Sequence, residues 1–95
     1  MRYEIVLAPE AASDLHHLKG YLRAGVRDAI ETHLRHEPTK TSKSRIKRLR
    51  GMSRPQYRLR VGEMRVFYDV KRRCVEILAI VMKSDAAAWL AREGR

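Results

Sequence analysis

The clearest pattern along the chain lies between Tyr57 and Val70, where apolar and polar positions alternate. A period of two is typical of β-strands, because successive side chains point to opposite faces of a sheet. Gly62 and Glu63 interrupt the alternation and suit the tight turn of a hairpin. The sequence therefore predicts a hairpin with an apolar face and an opposite cationic face. The apolar face is predicted to comprise Tyr57, Leu59, Val61, Met64, Val66, Tyr68 and Val70, and the other to carry Arg58, Arg60 and Arg65.

Three further segments have the character of strands. The segment RYEIVLA near the N-terminus alternates over a few residues, and a short edge strand is predicted near Ile46 to Arg50. The segment CVEILAIVM, which begins at Cys74, is apolar on both sides except at Glu76. Such a run predicts a central strand that is covered on both faces.

Helical spacing of apolar residues follows Pro9, which suits the first turn of a helix. The spacing runs to Leu34, and the glycines between positions 19 and 25 predict a hinge between two antiparallel helices. Pro38 is predicted to end the second helix. Ser84 is predicted as the N-cap of a last helix, in which Ala86, Trp89 and Leu90 share a face.

The order of these elements predicts an α+β fold in one small domain that spans residues 1–95. The elements follow as β-α-α-β-β-β(-β)-α, with the short strand near Ile46 to Arg50 at an edge. We expect a mainly antiparallel sheet with the two N-terminal helices packed on one of its faces.

Charge sets this sequence apart more than its composition does. Lys and Arg number 21 against 11 Asp and Glu, which gives a net charge of +10. A charge of this size favours contact with polyanions, although it says nothing about the fold. Cys74 is the only cysteine, and no apolar run is long enough for a membrane span or a secretory signal, so we expect a cytoplasmic protein without membrane contact.

The cations are concentrated where acidic residues are missing, between Glu37 and Glu63. Arginine rather than lysine suits the bidentate capture of phosphate oxygens, so the arginines of the hairpin predict a phosphate-binding face. Phe67 lies among them, where it could stack on a base, although packing against Trp89 is the preferred alternative. The residues predicted to contact RNA are Lys43, Arg45, Lys47, Arg48, Arg50, Arg54 and Phe67.

No arrangement typical of a metal site or of a protein nucleophile is visible. His33 and His36 are three residues apart, but no third ligand is near, and the spacing of a zinc site is missing. We therefore expect no metal and no cofactor. Chemistry without a metal remains possible on RNA, since its 2′-hydroxyl lies next to the scissile phosphate, and a protein need only align it and neutralise charge.

The segment Leu49 to Val70, with KRLRG leading into YRLRVGEMRVFYDV, resembles the RelE/ParE superfamily of toxins from type II toxin–antitoxin systems. The resemblance covers nearly the whole chain and favours the RelE branch, which has the RelE-like microbial RNase fold. That branch cuts mRNA in the ribosomal A site through the 2′-hydroxyl. The resemblance implies catalytic roles for Arg58, Arg60, Arg65 and Lys83. It also implies an antitoxin partner whose disordered acidic and apolar segment wraps the toxin.

Two departures from the RelE pattern keep other functions open. The C-terminal segment lacks the tyrosine of that branch, with Trp89 nearby, and arginine replaces the strand lysine. ParE-type relatives share the fold and act on DNA gyrase without a nuclease site. The alternatives are therefore an mRNA endonuclease, a gyrase-directed toxin, and a basic module that binds RNA or an antitoxin with little or no catalysis.

Overall fold

The computed structural model describes residues 1–95 and confirms the predicted α+β fold. Five strands and three helices follow one another in the expected order. They are β1 (Glu4–Leu7), α1 (Pro9–His17), α2 (Gly20–Leu34), β2 (Ile46–Arg48), β3 (Tyr57–Val61), β4 (Met64–Lys71), β5 (Cys74–Met82) and α3 (Lys83–Glu93).

The strands form one sheet in the order β1-β5-β4-β3-β2. Only the β1–β5 pair is parallel, and the other three neighbouring pairs are antiparallel. The β3–β4 hairpin turns at Gly62, whose φ of 56° lies in the left-handed region that favours glycine. The alternation of apolar residues thus predicted the register, which pairs Leu59 with Val66.

The two faces of the sheet support two separate apolar clusters. The larger cluster joins α1 and α2, through residues such as Leu15 and Ile30, to the apolar face of β3 and β4. The smaller cluster surrounds Trp89 of α3 on the opposite face, where it packs Phe67, Leu78 and Ala79. The central strand β5 contributes to both clusters, which explains why its sequence is apolar on both sides.

Two polar side chains form hydrogen bonds on the face of the sheet that packs against α1 and α2. The buried hydroxyl of Tyr68 donates to the carbonyl of Pro38 at 2.7 Å, and burial raises the pKa of this tyrosine. An Asp14 carboxylate oxygen in α1 accepts the backbone N–H of Ile80 at 2.9 Å, beyond the part of β5 that pairs with β1. Burial raises the pKa of Asp14 above its usual value of 3.8, partly offset by this hydrogen bond.

Several element boundaries differ from the predictions. The helices break at Leu18 and Lys19, whereas Gly25 lies inside α2, because a glycine on an open helix surface weakens a helix without ending it. Helix α2 ends at Leu34, before Pro38. Ser84 is not the N-cap, since α3 begins at Lys83 directly after β5 and its N-cap residue is Met82. None of the helices is long and apolar enough to cross a membrane.

Candidate functional site

Arg58, Arg60 and Arg65 lie on one face of the sheet, opposite the face that packs against α1 and α2. In the hairpin register, Arg60 pairs with Arg65, and Arg58 pairs with Phe67. Paired residues on neighbouring strands project to the same side. We call the group of Arg58, Arg60 and Arg65 the arginine cluster.

Arg58 is a half-buried member of the arginine cluster. Its Nη2 donates to the carbonyl of Ser44 at 3.2 Å, while its buried Nε has no hydrogen-bond partner. Burial lowers the pKa of Arg58, and the nearby charges of Arg65 and Arg60 lower it further. A buried donor without a partner is costly, so the guanidinium of Arg58 is destabilised both by burial and by its charged neighbours.

Arg65 is much less accessible than the predicted phosphate-binding face implies. It is only 7% exposed, and its Nη1 donates to the carbonyls of Gly62 at 2.8 Å and Met64 at 2.9 Å. The guanidinium therefore curls back over the hairpin turn. Arg60 is the fully exposed member of the cluster, and Arg58 is half-buried.

The acidic residues that could have neutralised the arginine cluster bind a different arginine. The Nη1 of Arg54 lies 2.9 Å from a carboxylate oxygen of Asp69 and 3.3 Å from one of Glu76. The other Asp69 oxygen accepts the backbone N–H of Gln56 at 2.7 Å. No member of the arginine cluster forms an ion pair. Arg54, which is predicted to contact RNA, also joins the β2–β3 loop to the sheet through these contacts.

Lys83 is brought to the same end of the hairpin by the start of α3. Its backbone N–H donates to the carbonyl of Glu63 at 2.7 Å, and Met82 pairs with Met64 across the sheet. The Lys83 side chain is exposed. The turn that carries Arg65 and the first residue of α3 are therefore neighbours.

The remaining residues predicted to contact RNA are divided between several surfaces. Lys47 pairs with Arg58 and is exposed on the same face as the arginine cluster. Arg48 projects to the face that packs against α1 and α2, where its Cζ lies 5.2 Å from the centroid of the Tyr57 ring. Lys43, Arg45 and Arg50 are exposed outside the strands.

Phe67 does not offer a stacking surface, and this prediction is corrected. Its side chain is 1% exposed and its ring stacks on Trp89 with centroids 4.9 Å apart. Trp89 is itself 4% exposed and donates its indole N–H to Glu10 at 2.8 Å. Helix α3 therefore occupies the aromatic surface, and the cluster offers charge without an aromatic platform.

The role of Ser44 could not be predicted from the sequence. Its backbone carbonyl orients Arg58. Every residue type has such a carbonyl, so the identity of residue 44 gives no signal in the sequence. As a whole, the arrangement can bind anions and neutralise charge. The paired residues of the cluster include no carboxylate or imidazole, so the groups that could carry a proton near it are Lys47 and Lys83.

Comparison with known proteins places these features in context. The family model described as the ParE toxin of type II toxin–antitoxin systems, parDE, matches residues 5–86. No curated protein matches the sequence.

Three solved structures share the fold. The toxin–antitoxin complex RelBE2 from Mycobacterium tuberculosis has a chain that is 25% identical with a TM-score of 0.65, and the match covers 86% of this chain and 99% of that one. The RelE–RelB complex from Pyrococcus horikoshii OT3 has a chain at 25% identity and a TM-score of 0.65, covering 87% and 97%. A chain of the RelB–RelE complex from Methanococcus jannaschii is 21% identical with a TM-score of 0.68, covering 88% and 96%.

Proposed function

The chain belongs to the ParE toxin family of type II toxin–antitoxin systems, and we propose that within this family it acts as an mRNA endonuclease on the ribosome. The observation that carries the proposal is the arginine cluster, in which three guanidinium groups share a face without one neutralising carboxylate. Repulsion between these groups makes the free protein less stable, and a bound phosphate removes that repulsion.

The three arginines have different roles in this proposal. Arg58 and Arg65 are held in place by backbone carbonyls, so they form a preorganised cradle for a phosphate. Arg60 is exposed and is the first of the three to meet the RNA strand. The cradle neutralises the negative charge that grows on the phosphorane when the 2′-hydroxyl attacks the scissile phosphate.

Proton transfer is the weaker part of this site. Arginine is a poor proton carrier because its pKa stays above about 12, so Lys83 is the residue that we assign to it. With no tyrosine or histidine in the arginine cluster, catalysis depends mainly on alignment of the message. We propose that the message is aligned in the ribosomal A site.

The partner that we propose is an antitoxin with a disordered acidic and apolar segment. The similar solved structures are toxin–antitoxin complexes, and the net charge of +10 favours an acidic partner. A segment that folds as it binds can cover both the apolar and the cationic parts of the surface.

Mapping the 5′ ends of transcripts after brief induction tests the proposed activity. New ends inside translated codons are expected with the wild-type chain, and they should disappear with Arg60→Ala. Lys71→Ala removes the same charge from the far end of β4 and serves as the matched control, which should retain the cuts. Intact transcripts during growth arrest would overturn the nuclease proposal.

A second candidate function is action on DNA gyrase, and two observations favour it. The family model is that of ParE toxins, and the C-terminal segment lacks the tyrosine that the RelE pattern has there. The same induction experiment separates the two candidates. Double-strand breaks and an SOS response with uncut transcripts would support gyrase as the target.

A further inference from the structure

A cavity with several cationic residues in its wall lies where the end of α2 meets the loop that leads into β2. It is an open cavity of about 180 Å³, and its wall includes His33, Lys40, Ser42 and Arg45. This volume corresponds to several water molecules at about 30 Å³ each, which is enough for a tetrahedral anion and part of its hydration shell. We call this cavity the His33 pocket.

Several donors in the His33 pocket are free to bind a ligand. The Ser42 Oγ accepts the backbone N–H groups of Arg45 at 2.9 Å and Ile46 at 3.3 Å. Its own proton therefore remains available for donation into the cavity. The Arg45 side chain is exposed and forms no ion pair.

Arg45 places positive charge beside His33. The pKa of His33 is lowered first by burial and then by the positive charge of Arg45. Glu37 is the carboxylate in the wall, and it lies 3.6 Å from Lys40 in an exposed pair, which is a weak interaction. An anion beside Arg45 and His33 would favour the charged imidazolium.

The His33 pocket is joined to the arginine cluster through the backbone. The carbonyl of Arg45 accepts the backbone N–H of Arg60 at 2.8 Å, and the carbonyl of Ser44 accepts from Arg58 at 3.2 Å. The pocket and the arginine cluster therefore lie on either side of the same short segment, residues 42–45. A strand of RNA carries a phosphate at every nucleotide, so a strand that crosses residues 42–45 would bring phosphates to both.

We propose that the His33 pocket binds a second phosphate of the RNA strand whose scissile phosphate lies at the arginine cluster. The assignment of this phosphate to the RNA strand that is cut rests on the proposed function. The ability of the pocket to bind a phosphate does not. The ligand is a phosphodiester, and the donors are Arg45, Lys40, Ser42 and protonated His33. Binding is stronger below the pKa of the bound His33 and weakens as the imidazole loses its proton. Glu37 and its partner Lys40 line the same cavity. The negative charge of Glu37 opposes the binding of an anion, and the positive charge of Lys40 favours it.

The first test follows the ring protons of the four histidines by NMR during a pH titration. Inorganic phosphate is compared with chloride at equal ionic strength. The apparent pKa of His33 should rise in phosphate, while those of His16, His17 and His36 serve as internal controls and should not move. Arg45→Ala should abolish the response, and Glu37→Gln should enlarge it. An unchanged His33, or an equal shift of all four histidines, would overturn the site.

The second test uses a short 2′-O-methyl RNA, which cannot be cut through its 2′-hydroxyl. Its binding is therefore independent of whether the chain cleaves RNA. The salt dependence of affinity should lose about one unit of slope in Arg45→Ala, as expected for one lost phosphate contact. The oligonucleotide should also shift His33 at far lower concentration than inorganic phosphate does. A response to phosphate alone, or to an acidic peptide and not to RNA, would contradict the assignment to an RNA strand.

Discussion

Arg60 of β3 and Arg65 of β4 stand directly opposite each other in the hairpin, on the face away from α1 and α2. Like charges in directly opposed positions destabilise a sheet, by about 0.2 to 1 kcal/mol for an exposed pair. Neither arginine forms an ion pair, and the carboxylates of Asp69 and Glu76 bind Arg54 instead. The hairpin therefore keeps an unfavourable pair that a bound anion would relieve.

The first prediction concerns this opposed pair. Arg60→Thr removes the repulsion with Arg65 and places a β-branched residue in a strand, so the free energy of unfolding should rise by about 0.5 kcal/mol. RNA affinity should fall, since one phosphate contact is lost, and the salt slope should drop by about one unit. Urea denaturation and fluorescence titration with a labelled oligonucleotide measure the two effects.

Lys71→Thr is the matched control, because it removes the same charge from the exposed end of β4. It should leave RNA affinity nearly unchanged. If Arg60→Thr lowers stability and affinity together, the affinity loss reflects damage to the hairpin and the phosphate role fails.

The second prediction concerns Arg65, whose guanidinium is buried over the turn. Arg65→Met keeps an unbranched apolar stem and loses the hydrogen bonds to Gly62 and Met64, so unfolding should become easier by about 1 to 3 kcal/mol. Growth arrest should be lost while the circular dichroism spectrum stays native. A folded variant with full toxicity would remove Arg65 from the site.

The third prediction separates Arg54 from the arginine cluster. Arg54→Ala leaves Asp69, whose side chain is only 16% exposed, without its cation. The thermal midpoint should fall by a few degrees, as expected for about 1 kcal/mol in a domain of this size. Affinity for RNA should change no more than in Lys71→Thr. A larger loss of affinity would place Arg54 among the RNA-binding residues.

The fourth prediction concerns the pH dependence of stability through Asp14. Because the pKa of Asp14 is raised in the folded state, folding favours its protonated form. Its contribution is largest below the unfolded value of 3.8 and is lost as the pH rises through the folded pKa. Asp14→Asn keeps an acceptor for the Ile80 N–H and carries no charge. Its free energy of unfolding relative to that of the wild type should therefore increase as the pH rises from about 3 to about 7.

Asp14→Ala is the control for the hydrogen bond itself. It leaves the Ile80 N–H without its partner, so its free energy of unfolding should be lower than that of Asp14→Asn by about 1 to 3 kcal/mol at every pH, since neither variant carries the titrating carboxyl. Chemical denaturation across the pH range measures both variants. Equal pH profiles for Asp14→Asn and the wild type would show that this carboxyl does not titrate differently on folding.

The hairpin was the part of the fold most open to prediction. The alternation from Tyr57 to Val70 predicted its two faces, and Gly62 predicted its turn, because both are consequences of local backbone geometry. The N-terminus of α3 was less accessible. Ser84 is a favoured N-cap residue, yet the sheet ends at Met82 and the helix follows without a gap, so the packing of Trp89 overrides the local preference.

The candidate site divides in the same way. The sequence by itself determined that Arg58, Arg60 and Arg65 share a face, since side-chain direction alternates along any strand. Only the tertiary structure decided which cations are free, because that depends on contacts between residues far apart in the chain. Asp69 and Glu76 bind Arg54, α3 covers Phe67, and the carbonyl of Ser44 orients Arg58. Such contacts depend on how the loops and α3 fold back over the sheet. The spacing of apolar and polar residues along the chain does not predict that arrangement.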